Sequence, residues 1–159
     1  MNRVMVHAAE MELPGWVKAL RIFAKEVLLI LKKDRWDLSI LLCGDKTIKD
    51  LNTIYRGKAE ATDILSFSLG ETREFPPSGG KHSRRHTPGD IVISLDTLRE
   101  NARRFQVEED EELRRLLIHG ILHLDGMDHK TNDKIEPMLQ LQERILAKLS
   151  KKQILGRSA

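Results

Sequence analysis

Apolar residues recur along this 159-residue chain with two different periods, and the switching between them sketches the elements. Residues 3–9, RVMVHAA, contain a short alternating stretch and predict a first strand. Val17, Leu20, Ala24, Val27, Leu28 and Leu31 then fall three and four apart. That spacing predicts an amphipathic helix running to about Lys33, with Pro14 tolerated in its first turn. DLSILLCG (37–44) reads as a second strand closed by Gly44. DKTIKDLNTIYRG (45–57) reads as a short helix with Ile48, Leu51, Ile54 and Tyr55 at helical spacing. In TDILSFSLG, Leu65, Phe67 and Leu69 alternate with Ser66 and Ser68, so one face of a strand can pack while the other stays polar. GDIVISL (89–95) repeats that pattern with Ile91, Ile93 and Leu95. The segment between these two strands has no period and contains Pro76, Pro77, Gly79 and Gly80, which predicts a long loop over 71–88.

Helical spacing dominates the second half. DTLRENARRF predicts a helix capped by Asp96. The acids of 108–112 open the next helix, where carboxylates meet the positive end of the helix dipole. Its buried stripe is expected to be Leu113, Leu117, Ile121 and Leu124, with Gly126 ending it in a left-handed turn. A last amphipathic helix is expected over about 133–149. Strands interleave with helices early and helices dominate late. The reading is therefore a single α+β domain over 1–159, with a small mixed sheet packed by helices.

Charge and cysteine content narrow the setting. The formal net charge is only +3, but the excess is uneven. Arg73, Lys81, Arg84 and Arg85, with His82 and His86, crowd the 71–88 loop. Arg144, Lys148, Lys151, Lys152 and Arg157 load the C-terminal part of the chain, whose tail over 150–159 is expected to fray. Basic segments of this kind suit a polyanionic partner or a solvated surface. Cys43 is the sole cysteine, so no intrachain disulfide can form, and it reads as a small buried apolar residue. IFAKEVLLIL is interrupted by Lys25 and Glu26 and is too short to span a bilayer. The expected location is the cytoplasm, with no membrane partner. Oligomeric state is left open.

The chemistry concentrates in HGILHLDGMDH (119–129). His119 and His123 are four apart and share a helix face, and Gly126 lets the chain reverse so that His129 can supply a third ligand. Three neutral imidazoles with an open fourth position describe a catalytic zinc centre, whereas structural sites fill all four positions with protein ligands. Zinc is the first expectation; copper, nickel and iron also accept imidazole. The spacing matches a zinc-peptidase signature except that Gly120 stands where that signature carries its glutamate. Peptide hydrolysis needs that general acid–base, whose loss typically costs about 10²–10⁴ in rate. A site that stabilises phosphoryl charge does not need it. Gly120 is also expected to clear room beside the metal for a bulky substrate.

The same run resembles the H-G-x-L-H-L-x-G-x-D-H signature of the YbeY family of bacterial metal-dependent endoribonucleases. LNTIYRGKAEATDILSF (51–67) and GDIVIS (89–94) resemble two further blocks of that family, in the same order. Together the three stretches cover about a fifth of the chain. The resemblance implies a zincin-like α+β fold with a small, mostly parallel four-stranded sheet and about five helices. It implies one zinc ion on His119, His123 and His129, and a catalytic role for Arg56 beside His119. It also implies cleavage of single-stranded RNA in 16S rRNA maturation and ribosome quality control, with the ribosome or its associated proteins as partners. Metal-activated water is the expected nucleophile, and an arginine at position 56 suits phosphate because its planar fork can hold two oxygens. Asp128 is expected either to orient a ligand or to stabilise the turn, and Asp63 to cap a strand. Two rivals stand beside this reading. One is a metallopeptidase with its base moved to Glu60 or Asp128; the other is a non-catalytic ribosome assembly factor in which the metal holds the fold.

Overall fold

The computed structural model describes residues 1–68 and 85–156. Four strands and five helices follow one another as β1 (Arg3–Ala8), α1 (Val17–Ile30), β2 (Trp36–Cys43), α2 (Asp45–Arg56), β3 (Ile64–Ser68), β4 (His86–Ser94), α3 (Leu95–Phe105), α4 (Glu109–Leu124) and α5 (Pro137–Lys148). The sheet order is β1-β2-β4-β3, parallel throughout except that β3 runs antiparallel to β4 at the edge. This is the expected α+β architecture with a mixed, mostly parallel sheet. Among the described residues no helix is long and apolar enough to cross a membrane. Leu69, expected as part of the third strand, and residues 71–84 of the expected basic loop lie outside the described residues.

The period-two pattern sorts side chains onto two sheet faces. Leu38, Ile40, Leu42, Ile91 and Ile93 join α1, α4 and α5 in the larger core. Cys43, Phe67 and Val92 meet Ile48 of α2 in a smaller core on the opposite face. Burial raises the Cys43 thiol pKa to about 11, which fits an inert packed residue rather than a nucleophile.

Several boundaries move, each for a local reason. The first helix begins at Val17, leaving Pro14 in the turn before it, and ends at Ile30 rather than Lys33. β4 starts at His86, inside the expected loop. An extra residue in β4 between the pairs Trp36–His86 and Leu38–Gly89 makes a bulge that accommodates Pro88. Gly89 is obligatory there, since it has φ +147° and an added Cβ would collide with the Phe67 carbonyl. Arg85 does not extend a free cationic track, because its guanidinium sits 2.7 Å from Asp37. Ser94, not Asp96, caps α3, accepting from the Thr97 N–H. Asp96 reaches instead to the first amide of α2, at Asp45.

Helix α4 is buried more completely than its predicted stripe. Leu116, Ile118 and Leu122 are also enclosed, because the helix lies between the sheet and α1, α3 and α5. The last helix starts at Pro137 rather than 133, since the preceding residues form a hydrogen-bonded loop. The tail does not fray through its described part. Ile154 is buried, and the amides of Ile154 and Leu155 donate to the Asp110 carboxylate.

Candidate metal centre

The centre is built on the last two turns of α4 and the reversal after it. His119 and His123 project from one helix face, and their Nε2 atoms stand 3.0 Å apart. Gly126 adopts φ +92°, its N–H bonds to the His123 carbonyl, and the Met127 N–H bonds to the Leu122 carbonyl. This closes the helix as expected and turns the chain back. A 2.7 Å ion pair between Lys33 and Asp125 fastens the reversal to the turn that follows α1. His129 then arrives beside the other two rings, with one nitrogen from each of the three within 4.8 Å of the others. The expected trio is thus brought together.

The outer ring nitrogens explain how the rings are aimed. His119 Nδ1 lies 2.7 Å from Gln142 Oε1, His123 Nδ1 lies 3.1 Å from the Met127 carbonyl, and His129 Nδ1 lies 2.9 Å from the Thr131 carbonyl. An amide oxygen can only accept, so each Nδ1 carries the proton and each Nε2 keeps a lone pair. Burial lowers the pKa of His119 and of His123, with the neighbouring histidines acting in the same direction, so both rings favour the neutral form a metal requires. Neutral rings put two lone pairs 3.0 Å apart, an arrangement a cation relieves. Tetrahedral zinc with nitrogens at ~2.0–2.1 Å would separate two of them by about 3.4 Å, close to the 3.0 Å between the His119 and His123 nitrogens. The donor set fits the ion.

An open cleft of about 510 Å³ lies against His119 and His123, lined also by Arg56, Ser66, Ser68 and Asp128. Arg56, the last residue of α2, crosses the Phe67 ring at 5.0 Å and donates to the Ser66 carbonyl at 2.9 Å. Register explains that bond. The Ser94 N–H pairs with the Asp63 carbonyl, so residues 63, 65 and 67 bond inward to β4, while Ile64, Ser66 and Ser68 turn their backbone groups to the free edge. Arg56 therefore reaches round the sheet edge from the α2 face to the rim of the cleft.

Gly120 does not clear space beside the metal. An added Cβ would come within 2.9 Å of Ile64 Cδ1 and 3.0 Å of Ile91 Cδ1, so this glycine faces the sheet and lets α4 approach β3 and β4 closely. Asp128 takes the turn role: its carboxylate accepts from the His129 N–H at 2.8 Å, and it is 4.0 Å from His123 Nδ1, beyond a hydrogen bond. The side chain of Asp63 accepts from Asn101, tying β3 to α3, and Glu60 is exposed and absent from the cleft lining. Gln142 was missed by sequence reasoning. Its signal was a lone polar residue in the buried face formed by Met138, Ile145 and Leu146.

The family model described as endoribonuclease YbeY matches residues 6–150. The chain belongs to the endoribonuclease YbeY family. The YbeY match includes Arg56 and all three histidines. Endoribonuclease YbeY of Treponema denticola is 46% identical over 137 residues, spanning 85% of this chain and 86% of that protein. The protein of the same name from Treponema pallidum is 45% identical over 147 residues, covering 92% and 89%. That from Borreliella burgdorferi is 44% identical over 125 residues, covering 78% and 81%. Among solved structures, the solution structure of TM1509 from Thermotoga maritima aligns with a TM-score of 0.62 and 26% identity, over 95% of this chain and 90% of that one.

Proposed function

We propose that this protein is a zinc-dependent endoribonuclease that cuts single-stranded RNA, with His119, His123 and His129 as metal ligands. The observation that carries the proposal is the grouping of three histidines, one nitrogen from each within 4.8 Å of the others, beside an open cleft lined by His119, His123 and Arg56. A divalent cation held there would supply Lewis acidity toward a phosphodiester oxygen and would lower the pKa of water to about 7. The histidines would hold it through Nε2 while each Nδ1–H donates to a carbonyl oxygen. All three ligands are neutral, so the site keeps a full positive charge for a phosphate. Arg56 offers its planar fork to two phosphate oxygens and stabilises charge building on the pentacoordinate phosphorus. Doing so requires the guanidinium to share or exchange its bond to Ser66. Nickel, copper or iron would also be accepted by three imidazoles.

The endoribonuclease names of the relatives support RNA as the substrate class. On the family resemblance we extend the proposal to 16S rRNA maturation and ribosome quality control in the cytoplasm, with the ribosome or its proteins presenting the substrate. The peptidase reading loses support at two places. The glutamate position is a glycine packed on Ile64 and Ile91. The free edge of β3, where an extended peptide would add as a strand, has its Ser66 carbonyl engaged by Arg56.

The test is cleavage of a single-stranded RNA by wild type, His123→Ala and Arg56→Ala, each stripped with a chelator and then repleted with zinc. Wild type should lose and regain activity. His123→Ala should stay inactive, and Arg56→Ala should be slower by about 10²–10³ with zinc still bound. Cleavage undiminished in both variants would place the active site elsewhere.

A further inference from the structure

The three outer nitrogens of the trio are held by acceptors of two kinds. His123 and His129 use backbone carbonyls, of Met127 and Thr131, which cannot change identity without moving the chain. His119 alone uses a side chain, Gln142 Oε1 at 2.7 Å, the shortest of the three contacts. Gln142 is 6% exposed and lies on the face of α5 that packs on α4. The next residue is clamped to the same helix, because Arg115 Nε of α4 donates to Glu143 at 3.0 Å. The amide is therefore delivered to His119 by a helix fastened one position away.

A glutamine amide has two chemically opposite ends. With its oxygen toward Nδ1, it accepts the ring proton and leaves the lone pair on Nε2. Reversed, its NH₂ would donate to Nδ1 and move the proton to Nε2, placing an N–H where the ligand atom must be. The residue is also uncharged. A carboxylate at this place would make the imidazole a stronger donor and the ion a weaker Lewis acid.

We propose that Gln142 is a positioning residue of the metal centre, selecting the His119 tautomer that can bind the ion and, by being neutral, leaving the ion's acidity undiminished. This rests on the metal-centre reading above and adds a role for α5 within it.

Two variants and two measurements test the idea. Gln142→Leu keeps the buried volume but removes the acceptor; Gln142→Glu keeps the acceptor and adds charge. In metal-free protein, long-range ¹H–¹⁵N spectra of the histidine rings report each tautomer directly. Wild type and Q142E should show His119 protonated at Nδ1, whereas Q142L should show His119 mixed or reversed, with His123 and His129 unchanged. Zinc dissociation constants from chelator competition should then rise about 10–100-fold in Q142L, the usual cost of losing a partner behind a metal ligand. In Q142E zinc should bind more tightly than in wild type and RNA cleavage at saturating zinc should be slower. Wild-type tautomer and zinc affinity in Q142L would overturn the proposal, as would an Nε2-protonated His119 in wild type. If the wild-type trio binds no zinc at all, the metal reading fails on its own, while the tautomer comparison still decides what Gln142 does to His119.

Discussion

The two ends of helix α4 both carry polar residues and use them in opposite ways. At the N-terminal end, Asp110 accepts from Arg114 one turn on and from two amides of the C-terminal tail. Arg115 is shared by Glu111, Glu112 and Glu143. Every one of these groups faces a protein partner of opposite character. At the C-terminal end the outer nitrogens of His119 and His123 are likewise satisfied, but their inner nitrogens face each other across 3.0 Å. A polar cluster whose members satisfy one another is structural. One whose members are held in mutual opposition is arranged for something that arrives later.

The sharpest way to break this contrast is to attack the structural end. Asp110 and Arg114 are buried together, with side chains 8% and 10% exposed. Asp110→Ala strands a buried guanidinium and unpins the tail, and removing one partner of a buried pair costs about 3–5 kcal/mol. Denaturant unfolding of the metal-free protein should show that loss. Chelator competition on the fraction that remains folded should give an unchanged zinc affinity, because Asp110 bonds Arg114 and the tail rather than the trio.

The opposite end should respond in reverse. His123→Ala relieves an opposed pair of lone pairs, so the metal-free variant should melt at or above the wild-type temperature. Wild type should gain about 2.7 kcal/mol at a hundredfold excess of zinc over its dissociation constant, by mass action alone. His123→Ala should gain almost nothing. Zinc stabilisation that survives the substitution would put the ion somewhere other than the trio.

Gly120 directly follows His119 in α4, and its behaviour distinguishes a packing glycine from a substrate-clearing one. Gly120→Ala pushes a methyl toward Ile64 and Ile91. Overpacking costs about 1–3 kcal/mol, and the gain in helix propensity returns about 1 of it. A net loss of about 1 kcal/mol in chemical unfolding, with RNA affinity preserved, fits packing. A loss of RNA affinity at unchanged stability would restore the substrate-clearing reading. Gly120→Glu rebuilds the peptidase signature on paper but buries a carboxylate against two isoleucines, so it should unfold rather than hydrolyse peptides.

These residues also show where reading a sequence succeeds. His119, His123, Gly126 and His129 were legible because their relation is set by the pitch of one helix and one turn, both local. Arg56 was placed by resemblance alone, since its bond to Ser66 depends on which strand sits at the sheet edge. Gly120 was misread because the spacing says which residues neighbour a histidine along the helix but not what stands opposite each face. Gln142 is separated from His119 by 23 positions, and only the packing of α5 on α4 joins them. The Asp96 cap failed more narrowly: Ser94 and Asp96 are both good capping residues two apart, and an amide on another helix claimed the aspartate.

The subtlest test lies again at the N-terminal end, in Glu112. Glu112 is 5% exposed, and burial pushes its pKa up, with Asp63 and Glu111 adding to the effect and Arg115 opposing it. A carboxyl whose folded pKa lies above its unfolded value binds its proton more tightly in the folded state. The folded protein thus loses stability from this group as pH rises from the unfolded value, about 4.3, through the folded one. The penalty is fully present above that window and absent below it. Glu112→Gln removes the titration while leaving an oxygen for Arg115. Urea unfolding across pH should therefore show the variant gaining on wild type as pH climbs from 4 to 7, by less than any effect above, with the two converging in acid. The opposite slope would mean that the ion pair with Arg115 outweighs burial. In that event the clustered charges at this end of α4 would stabilise the fold through their ionisation rather than in spite of it.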